Sequence, residues 1–222
     1  MAIKAVLFDL DGTLLDTAPD FVHTINQLAK EYNIDAPQPD AIRQQVSNGA
    51  RALVKLLFSL NEGDDGFEER RQRLFDIYEA TMGKHCVLFD GMEVLLDNIV
   101  SNTLSWGVIT NKPVRFAKPI VDNLSLVHPP ALLLCPDHVK QAKPDPEAMF
   151  MACEQLQCEP HEVIYIGDHL RDIECGRNAG TKTVAVSFGY ITPEDNIERW
   201  QADCIAHNTD DIWNYIHPLA AN

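Results

Sequence analysis

Ile3-Lys4-Ala5-Val6-Leu7-Phe8-Asp9-Leu10-Asp11-Gly12-Thr13-Leu14-Leu15-Asp16-Thr17 is the stretch on which the reading of this chain turns. Five of the six residues 3–8 are apolar, the pattern of a short strand buried on both faces. Asp9 and Asp11 follow where such a strand would end, then a glycine at which the backbone can turn, then a hydroxyl. In open parallel sheets, ligands bind just beyond the carboxyl ends of the strands. Two acids on alternate positions there crowd negative charge, and like charges raise each other's pKa unless a cation neutralises them. A hard divalent ion such as Mg²⁺ is the natural occupant. Taken alone, the same letters also describe an acidic turn capping a helix, since Asp and Thr are both common N-caps.

Working outward, residues 16–32 carry apolar side chains at Phe21, Val22, Ile25, Leu28 and Ala29, three and four apart, as a helix requires. A proline-containing break at residues 36–40 leads to a second helix-like stretch. Gly49 and the turn-rich residues 61–66 mark further interruptions. Residues 67–82 are charged and amphipathic, with Leu74, Phe75, Ile77 and Tyr78 as the expected buried side. The chain is therefore expected to be all-helical from 16 to 84. Beyond that, strands and helices alternate: a helix over 91–101 (Met92, Val94, Leu95, Leu96 and Ile99 apolar), a strand over 106–112, a helix over 114–124, and a short strand over 131–135. A helix over 146–156, a strand over 163–168, a helix over 172–179 closed by Gly180, and a strand over 183–186 complete the series. Such alternation implies an α/β fold, a Rossmann-like parallel sheet with helices on both faces. The helical block interrupts the first crossover, so the expected division is a core of 1–15 and 85–222 with an inserted all-helical cap of 16–84.

With 222 residues and 45% hydrophobic content, the chain has material for a sizeable core. Its net charge of −15 and the lack of a basic stripe exclude a nucleic-acid-gripping role. No apolar run approaches the roughly 20 residues of a membrane span. The chain opens in a strand-like run rather than a signal peptide, and its six cysteines show no zinc-site spacing, so a cytoplasmic protein with reduced thiols is expected. Nothing in the sequence fixes an oligomeric state.

Polar residues recur at the ends of the expected strands. Thr110 and Asn111 follow Val108-Ile109, offering a hydroxyl and an amide to phosphate oxygens. Lys143 stands in Ala142-Lys143-Pro144-Asp145-Pro146, where restricted backbone could present a fixed positive charge. Gly167-Asp168-His169-Leu170-Arg171-Asp172 carries two acids four residues apart, and Asp172 could face the sheet edge or act only as an N-cap. Each of these alone is commonplace. In order, Asp9-x-Asp11-Gly12-Thr13, Thr110-Asn111, Lys143-Pro144 and Gly167-Asp168-x-x-x-Asp172 resemble the motifs of the haloacid dehalogenase superfamily, in its phosphatase branch with a helical cap.

That resemblance implies a Mg²⁺-dependent phosphate monoester hydrolase acting on a small phosphorylated metabolite. It implies Asp9 as nucleophile and Asp11 as general acid, then base. Mg²⁺ would rest on Asp9, the Asp11 backbone carbonyl and Asp168, with Asp172 binding a metal water or pairing with Lys143. Thr110 and Lys143 would hold the phosphoryl oxygens, with Asn111 assisting. Asp11 argues against a dehalogenase, and the stretch Val46-Ser47-Asn48-Gly49-Ala50-Arg51 lacks the lysine of a phosphonatase and the loop of a sugar-phosphate mutase. It resembles the corresponding stretch of phosphoglycolate phosphatases, which makes Arg43 and Arg51 candidate contacts for a substrate carboxylate; exposed helix arginines are the plain alternative. The tail, Gly189-Tyr190-Ile191-Thr192-Pro193 with Trp200-Gln201-Ala202-Asp203, is similar also to that of N-acetylmuramic acid 6-phosphate phosphatases. Receiver-type phospho-switches share the acids, the Thr and the Lys, but lack the insertion and Asp11.

Overall fold

The computed structural model describes residues 2–192 and 194–220; Pro193 of the tail stretch lies outside them. The chain divides into two compact units, Met1–Leu15 with Leu88–Asn222, and Asp16–Val87. The first is built on a six-stranded parallel sheet of order β5-β4-β1-β6-β7-β8. Its strands are β1 (Ala5–Phe8), β4 (Ser105–Ile109), β5 (Leu133–Leu134), β6 (Val163–Gly167), β7 (Lys182–Val186) and β8 (Cys204–Ala206). β1 is central because both its neighbours pair with its whole length, Phe8 lying opposite Val108 on one side and Ile166 on the other. Successive side chains of a strand point to opposite faces. Ala5, Leu7, Val163 and Tyr165 accordingly pack with Met149 and Ala152 of helix α7 (Glu147–Leu156) and Cys175 of α8 (Leu170–Ala179). Val6, Phe8, Ile164 and Ile166 point to the other face and are buried too. This is why these strands read as continuous apolar runs.

The remaining helices flanking the sheet are α5 (Met92–Ser101), α6 (Val114–Asn123) and α9 (Thr209–Ala220). In α5 the buried residues are Met92, Leu95, Leu96 and Ile99, while Val94 is exposed, contrary to expectation. On a helix, Val94 sits about 200° round from Met92 and so falls off the stripe. β8 and α9 extend the series beyond residue 186, where the sequence reading ended. β8 is only three residues long and α9 holds Pro218 within it, so neither shows a long uninterrupted pattern.

The second unit contains α1 (Ala18–Glu31), α2 (Pro39–Arg43), α3 (Gly49–Phe58) and α4 (Phe67–Thr81). Gly49, expected as an interruption, opens α3 with a φ of 78°. Phe21 of α1 and Tyr78 of α4 stack 4.3 Å apart, and Ile25, Leu28, Ile42, Leu53, Leu74 and Ile77 are buried around them. Asp20, fully buried, accepts the N–H groups of Gly83 at 2.6 Å and His85 at 2.9 Å, tying the end of the block to its first helix. The block is not purely helical at its ends: β2 (Leu15–Asp16) and β3 (Val87–Leu88) form a two-stranded sheet where the chain enters and leaves it. Among the described residues no helix is long and apolar enough to cross a membrane.

Candidate active site

The loop after β1 folds back on itself, Leu14 N–H donating to Asp9 O at 3.3 Å and Leu15 N–H to Leu10 O at 2.9 Å. Gly12 makes this possible with a φ of 82°, a conformation that L side chains avoid. Its Cα also faces the Asp168 carboxylate so closely that an added Cβ would lie 2.1 Å from Oδ2. Asp9 is held at the strand end by its N–H bond to Ile166 O, 2.8 Å. Asp9, Asp168 and Asp172, all buried, bring carboxylate oxygens within 4.8 Å of one another.

Lys143 threads into this cluster. Its Nζ lies 2.9 Å from Asp9 Oδ1 and 2.7 Å from Asp172 Oδ1. It also lies 2.9 Å from Ile109 O and 2.7 Å from the Tyr165 hydroxyl, which itself donates to Ile109 O. Burial works against the charge on Lys143, but Asp172 and Asp9 outweigh it and raise its pKa. Burial pushes the Asp9 carboxyl upward, Lys143 pulls it down, and Asp172 and Asp11 push it up again; the balance is a raised value. Asp168 is raised further, by burial and by Asp9 and Asp172, with the Tyr190 N–H opposing. One ammonium against three carboxylates leaves two negative charges. That deficit, made up of hard oxygen ligands, fits a divalent cation.

Thr110, after β4, is fixed by its own N–H to Leu134 O at 2.9 Å, and its Oγ1 accepts the N–H of Lys112 at 3.1 Å. The hydroxyl therefore still has its proton to donate. Asn111 makes a reciprocal pair with the Lys143 backbone, Nδ2 to O at 3.0 Å and N to Oδ1 at 3.1 Å. Asp11 ion-pairs with Lys112, Nζ to Oδ1 at 2.9 Å. Asp172 is not the N-cap of α8. His169 is, its Nδ1 accepting Arg171 N–H, while Asp172 in the first turn accepts His169 N–H through Oδ2 at 3.0 Å. Burial and Arg171 lower the His169 pKa to about 4, so the ring is neutral and able to accept at pH 7.

Arg43 and Arg51 belong to the helical unit. Arg43 Nη1 reaches both oxygens of Asp16, at 2.8 and 2.7 Å, and Arg51 is exposed, 3.3 Å from Glu62.

Four participants escaped the sequence reading: Lys112, Tyr165, the Gly189-Tyr190 pair and the capping His169. Tyr190 N–H donates to Asp168 Oδ2 at 2.8 Å, and a Cβ on Gly189 would sit 2.3 Å from Asp168 Cβ. Tyr165 did leave a signal, a hydroxyl inside an otherwise apolar strand.

A haloacid dehalogenase-like hydrolase family model matches residues 6–186. The chain belongs to this family. Among its relatives, an N-acetylmuramic acid 6-phosphate phosphatase of Pseudomonas putida is 50% identical over 92% of this chain and 92% of its own. A phosphoglycolate phosphatase of Xanthomonas campestris is 34% identical over 95% of both chains. Among solved structures, a haloacid dehalogenase-like hydrolase of Streptococcus pneumoniae superposes with a TM-score of 0.81 at 25% identity, covering 96% of this chain and 98% of that one. The family's hydrolase fold thus accounts for the sheet order and for the acids gathered at its carboxyl edge.

Proposed function

We propose that this hydrolase cleaves a small phosphate monoester through an aspartyl-phosphate on Asp9, with Mg²⁺ as its cation and Asp16–Val87 as its cap. The observation that carries the reading is Lys143, buried with its ammonium 2.9 Å from Asp9 and 2.7 Å from Asp172, in a cluster that Asp168 completes. Asp9 attacks phosphorus, and the bond to the departing alcohol breaks as Asp11 supplies a proton to its oxygen. Asp11 then takes a proton from water, which attacks the aspartyl-phosphate, releases inorganic phosphate and restores Asp9. Lys143 opposes the burial that favours the neutral form of Asp9 and stabilises charge on the transferring oxygens. The Thr110 hydroxyl donates to the same oxygens. Asn111 acts through Lys143, whose backbone it grips. Asp9, Asp168 and Asp172 would hold the cation, with the Asp11 backbone carbonyl. When bound, the ion supplies the positive charge that phosphoryl transfer demands.

Turnover of p-nitrophenyl phosphate with Mg²⁺ tests this reading. Asp9→Asn should abolish it, and hydrolysis undiminished in that variant would sink the proposal. Asp11→Asn should lose steady-state turnover while still binding phosphate.

For the substrate, 2-phosphoglycolate is one reading and N-acetylmuramic acid 6-phosphate the other. Relatives support both, one of the second name at 50% identity and one of the first at 34%. Against the first stands the engagement of Arg43, the carboxylate-binding candidate, with Asp16. Assay of both esters decides: a hundredfold preference corresponds to about 2.7 kcal/mol of transition-state binding.

A further inference from the structure

Lys112 is buried, its side chain 4% exposed, although it lies in a loop. Two independent contacts fix it. Its backbone N–H is held by Thr110 Oγ1, and its ammonium meets Asp11 Oδ1 at 2.9 Å. An exposed pair of this kind would contribute little and exchange partners freely. A buried one keeps its geometry, because breaking it strands a charge away from water. The pairing therefore fixes the orientation of the Asp11 carboxylate.

We propose that Lys112 is a positioning residue for proton transfer: by holding Oδ1 of Asp11 it fixes the orientation of that carboxyl group toward the departing alcohol. This rests on the acid–base reading of Asp11 given above. Lys112 itself touches no reacting atom. The proton moves from the Asp11 carboxyl group to the ester oxygen as the phosphorus–oxygen bond breaks, and the lysine stays charged throughout.

The dependence on the leaving group tests this. Both candidate substrates are primary alkyl phosphates whose alcohol must be protonated as it leaves, whereas p-nitrophenolate departs without a proton. Lys112→Met should lower kcat/KM about a hundredfold on the alkyl phosphate and less than about tenfold on p-nitrophenyl phosphate. Lys112→Arg should recover part of the alkyl activity. Equal losses on both esters would overturn the assignment. Should circular dichroism show that Lys112→Met does not fold, Lys112→Arg carries the test. It moves the charge without removing it, and an unchanged alkyl-to-aryl ratio overturns the proposal. Wild-type protein inert toward both esters would instead overturn the phosphatase reading, and this assignment with it.

Discussion

Lys143 has three protons and four oxygen atoms within 2.9 Å, two of them carboxylate. Its ammonium is the counter-charge for a buried acid cluster, so removing it differs in kind from trimming a neighbour. Lys143→Met leaves Asp9 and Asp172 without compensation and should cost about 3–5 kcal/mol of stability in the absence of Mg²⁺. Tyr165→Phe deletes two hydrogen bonds, one donated to Ile109 O and one accepted from Lys143, but Lys143 keeps three oxygen partners for its three protons and no carboxylate is stranded, so a net loss of about 0.5–1.5 kcal/mol is expected. Urea denaturation of both variants in a chelating buffer measures the difference. Similar costs for the two would mean that the cluster is not electrostatically organised by Lys143.

At the scale of elements, the site is an assembly of loops at neighbouring strand ends, and glycines decide how closely they approach. The segment after β7 lies against Asp168 because Gly189 has no side chain: an added Cβ would fall 2.3 Å from Asp168 Cβ and 2.4 Å from Gly12 O. Neither neighbour is the flexible end of a long side chain, so the loop or Asp168 must shift. Gly189→Ala should therefore weaken Mg²⁺ binding by about tenfold or more, the scale of supporting-residue effects at metal sites, while the sheet stays folded. Titration calorimetry with Mg²⁺ reads this directly, and unaltered affinity would show that the loop tolerates the change.

At the scale of the whole molecule, the site costs the metal-free protein stability. Asp9 and Asp168 both have folded-state pKa values above the ordinary 3.8. A group raised on folding contributes stability that is present below its unfolded value and lost as pH rises through its folded value. Metal-free protein should therefore lose this contribution as pH climbs from about 4 through the raised values. On the proposed reading Mg²⁺ would take the place of the displaced protons, so the rise in Tm on adding it should grow as pH climbs through the raised values. A Tm gain independent of pH would contradict the raised acids. The cysteines do not enter this balance: burial holds Cys135, Cys153 and Cys175 up at about 12, so they remain thiols.

The sequence by itself determined the parallel sheet, because strands buried on both faces must be apolar at every position, and residues 3–8, 106–109 and 163–166 are nearly so. It also determined which polar residues stand at the strand ends, since a charge or hydroxyl directly after such a run has few places to go but the sheet edge. Helices with a regular stripe, α1 and α6 above all, were legible for the same reason of spacing. Tertiary structure alone decided the partners. Lys112 and Asp11 are 101 residues apart, Tyr190 and Asp168 are 22 apart, and no local pattern encodes either meeting. It decided that His169 rather than Asp172 caps α8, which leaves Asp172 Oδ1 to Lys143. Periodicity reports which face of an element is buried. The identity of the atom that buried charge meets depends on how distant strands are brought side by side, and there the two acids of Asp9-Leu10-Asp11 acquire different lysines.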